Sequence, residues 1–208
     1  MIPAYDKNIV EYAMDNLGCA MDYAVNILHL DGQEFLNLFA SSGVAKEFGV
    51  GNFKYVTGMT GVDLVEEVLS ISGKGYRKTD KEFNGDYSSE YWCGWILAYY
   101  QWHSGIPFKK LLPILTFDLL MDSYGVLHEA DESKAVDVFD SIVRSESFLA
   151  RMRKKRGYTQ AALAKEANVS LRSIQLYEQR INDIGKAQYN NLTDIARVLH
   201  CDIEDILE

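Results

Sequence analysis

The sequence predicts an all-α protein in two parts, an acidic helical domain over residues 1–146 and a smaller helical domain over residues 147–208. Three observations carry that expectation. Apolar residues recur at three- and four-residue steps along most of the chain, the spacing that lines one face of a helix. No stretch shows the period-two alternation of a half-buried strand, and no internal repeat is present. The charge balance also changes near residues 144–148. Residues 147–208 hold ten Lys/Arg against eight Asp/Glu, whereas residues 1–146 hold eleven against twenty-two.

The elements follow in order. Ile9, Val10, Tyr12, Ala13, Leu17, Ala20, Met21, Ala24, Ile27 and Leu28 mark one long helix. Asp31 can cap a second, carrying Phe35, Leu36, Leu38 and Phe39 and stopped near Gly43. The stretch from Gly49 to Gly61 fits neither phosphate-binding glycine pattern and reads as a loop with positive-φ turns. Thr60 caps a helix with Val62, Leu64, Val65, Val68, Leu69 and Ile71 on its apolar side. Residues 72–87 read as a loop. Ser88 to Glu90 open an aromatic helix over Tyr91–Trp102, whose dense rings are expected to be core, with Gly94 marking a close helix approach. Shorter helices are expected over Phe108–Leu115 and Phe117–Tyr124. Asp131 or Ser133 starts a last one through Val143, placed to run on into the next domain.

Composition narrows the function classes. Apolar residues at 48% and charged residues at 25% are globular values. Asp6, Glu11, Asp15 and Asp22 break any leader-like run, and the longest apolar stretch, Tyr91–Tyr100, is half of what a bilayer helix requires. A cytoplasmic protein with no membrane partner is expected. Cys19, Cys93 and Cys201, with His29, His103, His128 and His200, lack metal-ligand spacing, so no metal and no cofactor is expected, and the thiols read as buried in a reducing compartment. No nucleophile triad, metalloprotease motif or paired-carboxylate pattern appears. Glu90, His103 and His128 would need the fold to gather them, and the chain does not read as an enzyme.

The tail carries the chemistry. Phe148 to Arg156 form a basic helix ending at Gly157, which suits the residue after a helix C-cap. Thr159 caps a second helix with Leu163 and the small Ala164 facing inward. Asn168 stands in the tight turn, where positive φ is wanted. Ser170 caps a third helix with Ile174 and Tyr177 inward. Tyr189, Leu192, Ile195, Ala196 and Leu199 line a fourth, and Asp202 caps a short fifth with Ile203, Ile206 and Leu207.

This order resembles the lambda-repressor/Cro-type (XRE) helix-turn-helix family, through Leu149, Arg153, Gly157, Thr159, Gln160, Leu163, Ala164, Val169, Ser170, Ile174, Glu178, Leu192, Ile195, Ala196, Leu199, Ile203, Ile206 and Leu207. Two departures stand out. Asn168 replaces the turn glycine, and the loop from Glu178 to Lys186 is longer than usual. The resemblance implies that the helix at 170–179 enters the major groove of duplex DNA, with Ser170, Leu171, Arg172 and Gln175 on base edges and Leu176 nearby. It places Gln160 on a phosphate, with Arg151, Lys154, Lys155, Arg180 and Lys186 as further phosphate contacts. Taken alone, Lys154 and Lys155 are more often a solvated face than a DNA contact. The implied function is a transcriptional regulator, a repressor acting as a homodimer. The domain at 1–146 would hold a protein partner or a small-molecule effector, or serve dimerisation. The alternative is an antitoxin, whose N-terminal domain binds a protein toxin while the C-terminal domain represses the operon. A helix-turn-helix used only for protein association is the remaining option.

Overall fold

A computed structural model of the chain describes residues 3–75 and 87–208, which fall into two units, Met1–Val143 and Arg144–Glu208. All regular structure among the described residues is helical. Most of the loop expected over residues 72–87, namely residues 76–86, lies outside them.

In the first unit, helix α1 (Val10–Asp22) follows a 3-10 turn that Asp6 caps by accepting the Asn8 N–H at 2.8 Å. Residues Tyr23–Ile27 continue it as a wider π turn, in which the Leu28 N–H donates to the Tyr23 carbonyl, so the expected long helix is continuous. Helix α2 (Gly32–Ser41) is capped by Asp31, which accepts the Glu34 N–H at 2.8 Å. Two short helices follow, α3 (Val44–Gly49) and α4 (Phe53–Val56). Of these, only α4 and the last residue of α3 fall within the expected glycine loop, in which Gly51 alone has positive φ. Thr60 and Asp63 form a capping box for α5 (Gly61–Ser72). Ser88 caps α6 (Ser89–Ser104), and α7 (Phe108–Leu111), α8 (Phe117–Leu127) and α9 (Glu132–Val143) complete the unit. Helix α9 ends at Val143 and the next begins at Phe148, so the two are not continuous.

The centre of α1 is enclosed: from Asn16 to Ala24 only Cys19 is as much as half-exposed. Two glycines allow this. A Cβ on Gly94 of α6 would overlap the Leu17 carbonyl and lie 2.8 Å from Met21 Cγ. One on Gly61 would meet Cys19 Cβ at 2.5 Å and the Ala20 nitrogen at 2.6 Å. Helices α5 and α6 therefore approach α1 at backbone distance. Polar groups taken into this packing are partly matched, the buried Asn16 Oδ1 having no hydrogen-bond partner among the described residues. The Asn16 amide donates to the Tyr55 carbonyl at 2.6 Å, and the Asp22 carboxylate accepts from Asn26 at 2.8 Å and from the Ser88 hydroxyl.

The aromatic helix is core: Tyr91, Trp92, Tyr100 and Trp102 are buried. Trp92 meets Tyr124 edge-on and Tyr100 meets Phe139, while Phe39, Phe48 and Phe108 form a mutually edge-on triangle. The periodic pattern overreached at its margins. Tyr12 and Ile71 were expected on apolar faces but are 60% and 52% exposed. The thiols are not uniformly buried either. Burial pushes the Cys93 thiol up to about 12 and Cys19 upward as well, but Cys19 and Cys201 keep partial access to solvent.

The second unit contains α10 (Phe148–Lys155), α11 (Gln160–Glu166), α12 (Leu171–Glu178) and α13 (Tyr189–Leu199). Ser147, Thr159 and Ser170 cap the first three, accepting the N–H groups of Ala150, Ala162 and Ser173. All four helices end in one pattern. The N–H of the left-handed residue bonds three positions back, and the next N–H bonds five positions back, as in a Schellman motif. Gly157, Asn168, Arg180 and His200 hold the left-handed positions, at φ +76°, +51°, +55° and +50°. The expected fifth helix is a 3-10 turn, Ile203–Asp205, and a second such turn, Ile184–Lys186, lies within the long loop. Leu149, Leu163, Ile174, Ile184, Ile195, Leu199 and Ile206 centre the core. Tyr189 was expected to face it and is 73% exposed instead.

Gly94→Ala should cost about 1–3 kcal/mol, because the overlap is with backbone and cannot be relieved by a rotamer change. All three tryptophans lie on α6, so urea unfolding followed by tryptophan fluorescence reads this unit directly. An unchanged midpoint would refute the backbone-distance packing.

Candidate nucleic-acid interface

Helix α12 is eight residues long and has one fully buried residue, Ile174. With 3.6 residues per turn, the face opposite Ile174 carries Arg172, Gln175, Leu176 and Gln179. Arg172 is exposed and Gln175 half-exposed, and neither makes a hydrogen bond or ion pair to another described residue. Leu171, 41% exposed, flanks this face. Ser170 is more committed: its hydroxyl accepts the Ser173 N–H at 3.0 Å and lies 2.7 Å from Ser173 Oγ. Gln179 shares the outward face by the same periodicity, a position that counting on from Arg172 by seven would have found.

The roll of α12 is set from its other side. Arg153 on α10 donates to both oxygens of Glu178, from Nε to Oε1 at 2.6 Å and from Nη2 to Oε2 at 2.9 Å. Its third nitrogen, Nη1, donates to the Tyr158 carbonyl at 2.8 Å. The side chains are 10% and 7% exposed, so the pair is desolvated and bidentate. Hydrogen bonding to Glu178 raises the already high pKa of Arg153. Gln160, at the start of α11, donates its side-chain amide to Glu178 Oε2 at 2.8 Å. Three helices thus meet at one carboxylate. Arg153 and Gln160 stand 25 and 18 positions before Glu178 in the chain, and no local pattern announces their meeting.

The basic residues divide. Lys155 is exposed and has no partner among the described residues, and Lys186 is 85% exposed with a 3.5 Å contact to Asp183. Lys154 is paired with Glu146, and Arg151 donates to the Glu146 carbonyl and to Ser145 Oγ. Arg180 differs most from expectation, because all three of its nitrogens are engaged within the unit, to Glu208 Oε2 at 2.7 Å and to the carbonyls of Arg144 and Glu146 at 2.7 and 2.9 Å.

The gathering of catalytic-type residues does not occur. Glu90 and His103 stand at opposite ends of α6, about 20 Å apart at 1.5 Å per residue. His128 is stacked on Tyr124, with Nδ1 at the Tyr124 carbonyl. Among the described residues no group of His, Cys, Asp and Glu is placed to hold a metal ion, and no helix is long and apolar enough to cross a membrane.

Glu178→Ala strands the Arg153 guanidinium and should cost about 3–5 kcal/mol of this unit's stability, while replacing both partners by Met and Leu should cost less than either single change. Because no tryptophan lies in this unit, its unfolding appears in far-ultraviolet circular dichroism and not in tryptophan fluorescence. Coincident transitions of the two signals in Glu178→Ala would contradict the expectation.

No curated protein and no solved structure matches the chain. A family model described as Helix-turn-helix matches residues 149–206. With its capped, tightly turned α11–α12 pair and its outward Arg172 face, the C-terminal unit is a helix-turn-helix DNA-binding domain of the lambda-repressor/Cro (XRE) type.

Proposed function

We propose that the protein is a sequence-specific regulator of transcription, a cytoplasmic repressor that acts by binding duplex DNA rather than by catalysis. The observation that carries this reading is the outward face of α12, where Arg172 and Gln175 are unpartnered while the opposite face is fixed by Ile174 and Glu178. A guanidinium held on a rigid helix matches the paired acceptors of guanine, and a carboxamide matches the acceptor–donor edge of adenine. Leu171 suits a thymine methyl, and Ser170 stands at the helix start, the end that meets base edges in this docking geometry. Lys155 is free to meet a phosphate, Lys186 would have to exchange its exposed 3.5 Å contact to Asp183 for one, and Gln160 retains a second amide hydrogen for one. Lys154 and Arg151 would have to exchange their contacts to Glu146 and Ser145 for a phosphate.

One such domain reads only a few base pairs, and a symmetric pair supplies workable affinity, so the binding form is a homodimer. The N-terminal unit serves a protein or small-molecule ligand. Its ten Lys/Arg against twenty-one Asp/Glu favour a basic protein over DNA. That imbalance also supports an antitoxin as the second reading, in which a toxin occupies the acidic unit.

Two measurements test the DNA reading. Arg172→Ala should weaken binding to the preferred duplex by about 1–3 kcal/mol and relax preference at one base pair, with little change on random duplex, as read by fluorescence anisotropy under competition. Equal losses on both duplexes would remove the base-reading role. Lys155→Ala should lower affinity evenly across sequences and reduce the slope of log K against log salt by about one. A slope equal to that of wild type would place Lys155 in solvent.

A further inference from the structure

The Schellman position that ends the recognition helix is taken by Arg180, at φ +55°. Glycine would sit there without strain, whereas an arginine costs conformational energy that something else in the structure must offset. The side chain shows what does so. Nε donates to Glu208 Oε2, Nη1 to the Arg144 carbonyl and Nη2 to the Glu146 carbonyl, all between 2.7 and 2.9 Å. Glu208 closes the arrangement, its other oxygen accepting the Phe148 N–H at 3.1 Å at the start of α10. Arg151 adds a bond to the same Glu146 carbonyl.

The geometry points to Arg180 as a positioning residue rather than a phosphate contact. Its planar fork clasps the segment entering the domain, residues 144–146, to the last turn of α12, with Glu208 as the shared counter-charge. The clasp holds α12 from its C-terminal end as Arg153 holds it from the flank. DNA affinity therefore depends on how residues 144–146 are seated. This rests on the DNA-binding reading above, but the clasp itself is a statement about the protein alone.

The two roles of Arg180 predict opposite signs at Glu208. If Arg180 met phosphate, Glu208→Gln would free a cation and tighten binding. If Arg180 is a clasp, Glu208→Gln loosens it and weakens binding. The experiment uses the full chain as wild type, Arg180→Ala, Arg180→Lys and Glu208→Gln. Each is titrated across a salt series against the duplex that wild type selects from random-sequence DNA, and each is cut with limiting trypsin. Trypsin attacks the carbonyl carbon of Arg144, whose oxygen Arg180 holds, so cleavage after Arg144 reports the clasp without DNA.

The expected result is affinity lowered about tenfold in all three variants, with the salt slope of wild type and cleavage after Arg144 about tenfold faster. Arg180→Lys behaves like Arg180→Ala because an ammonium cannot span three acceptors. A salt slope reduced by about one in Arg180→Ala, together with tighter binding by Glu208→Gln, would overturn the proposal. So would unchanged cleavage after Arg144. Should Arg180→Ala fail to fold, Glu208→Gln still gives the deciding sign. If wild type selects no duplex, the DNA reading falls and the positioning role falls with it, while the cleavage rates still establish whether the clasp exists.

Discussion

The bidentate pair between Arg153 and Glu178 is the interaction on which the orientation of α12 depends. Helix α12 buries a single residue completely, and a short helix held by Ile174 alone could roll about its own axis. Glu178 stands four positions on, about 40° from Ile174, and its two oxygens take a fixed direction from the Arg153 fork. That pins the roll, and the outward placement of Arg172 and Gln175 follows by helical geometry. A desolvated pair adds little net stability compared with well-packed apolar residues. Its effect here is orientation: it allows one arrangement of α10, α11 and α12 and penalises the rest with an unpaired buried charge.

Much of the fold was legible in the sequence because its signals are local. Asp31, Thr60, Thr159 and Ser170 cap the helices they were expected to cap, each by accepting an N–H three residues on. Gly157 and Asn168 take the left-handed positions expected of them. Arg180 takes the same position without any compositional sign, since arginine is not a residue associated with positive φ in the way glycine and asparagine are. The glycines of residues 49–61 misled in the opposite direction. Gly61 is there to let α5 reach the α1 backbone, a purpose that looks the same in sequence as a turn.

What sequence could not supply were the pairings across distance. Arg153 with Glu178, Gln160 with Glu178 and Arg180 with Glu208 join positions 18 to 28 apart, on faces that only the folded packing brings together. Periodicity has a related blind spot. It assigns an apolar stripe but not the point at which the stripe leaves the core, which is why Tyr12, Ile71 and Tyr189 were placed inward and lie outward. The candidate site was therefore legible as a set of positions and illegible as a set of available side chains.

That distinction bears on how the domain could hold DNA. Ten basic residues look ample for a phosphate footprint, but several are already occupied. Arg153 is buried in its pair, Arg180 and Arg151 donate to backbone carbonyls, Arg156 donates to the His200 carbonyl, and Lys154 and Arg197 face carboxylates. Few cations of this unit remain free to meet a polyanion. Nonspecific attraction is correspondingly weak. On the proposed reading, discrimination then falls to the base-reading face of α12, and a second copy of that face compensates for a sparse electrostatic footprint more effectively than further lysines would.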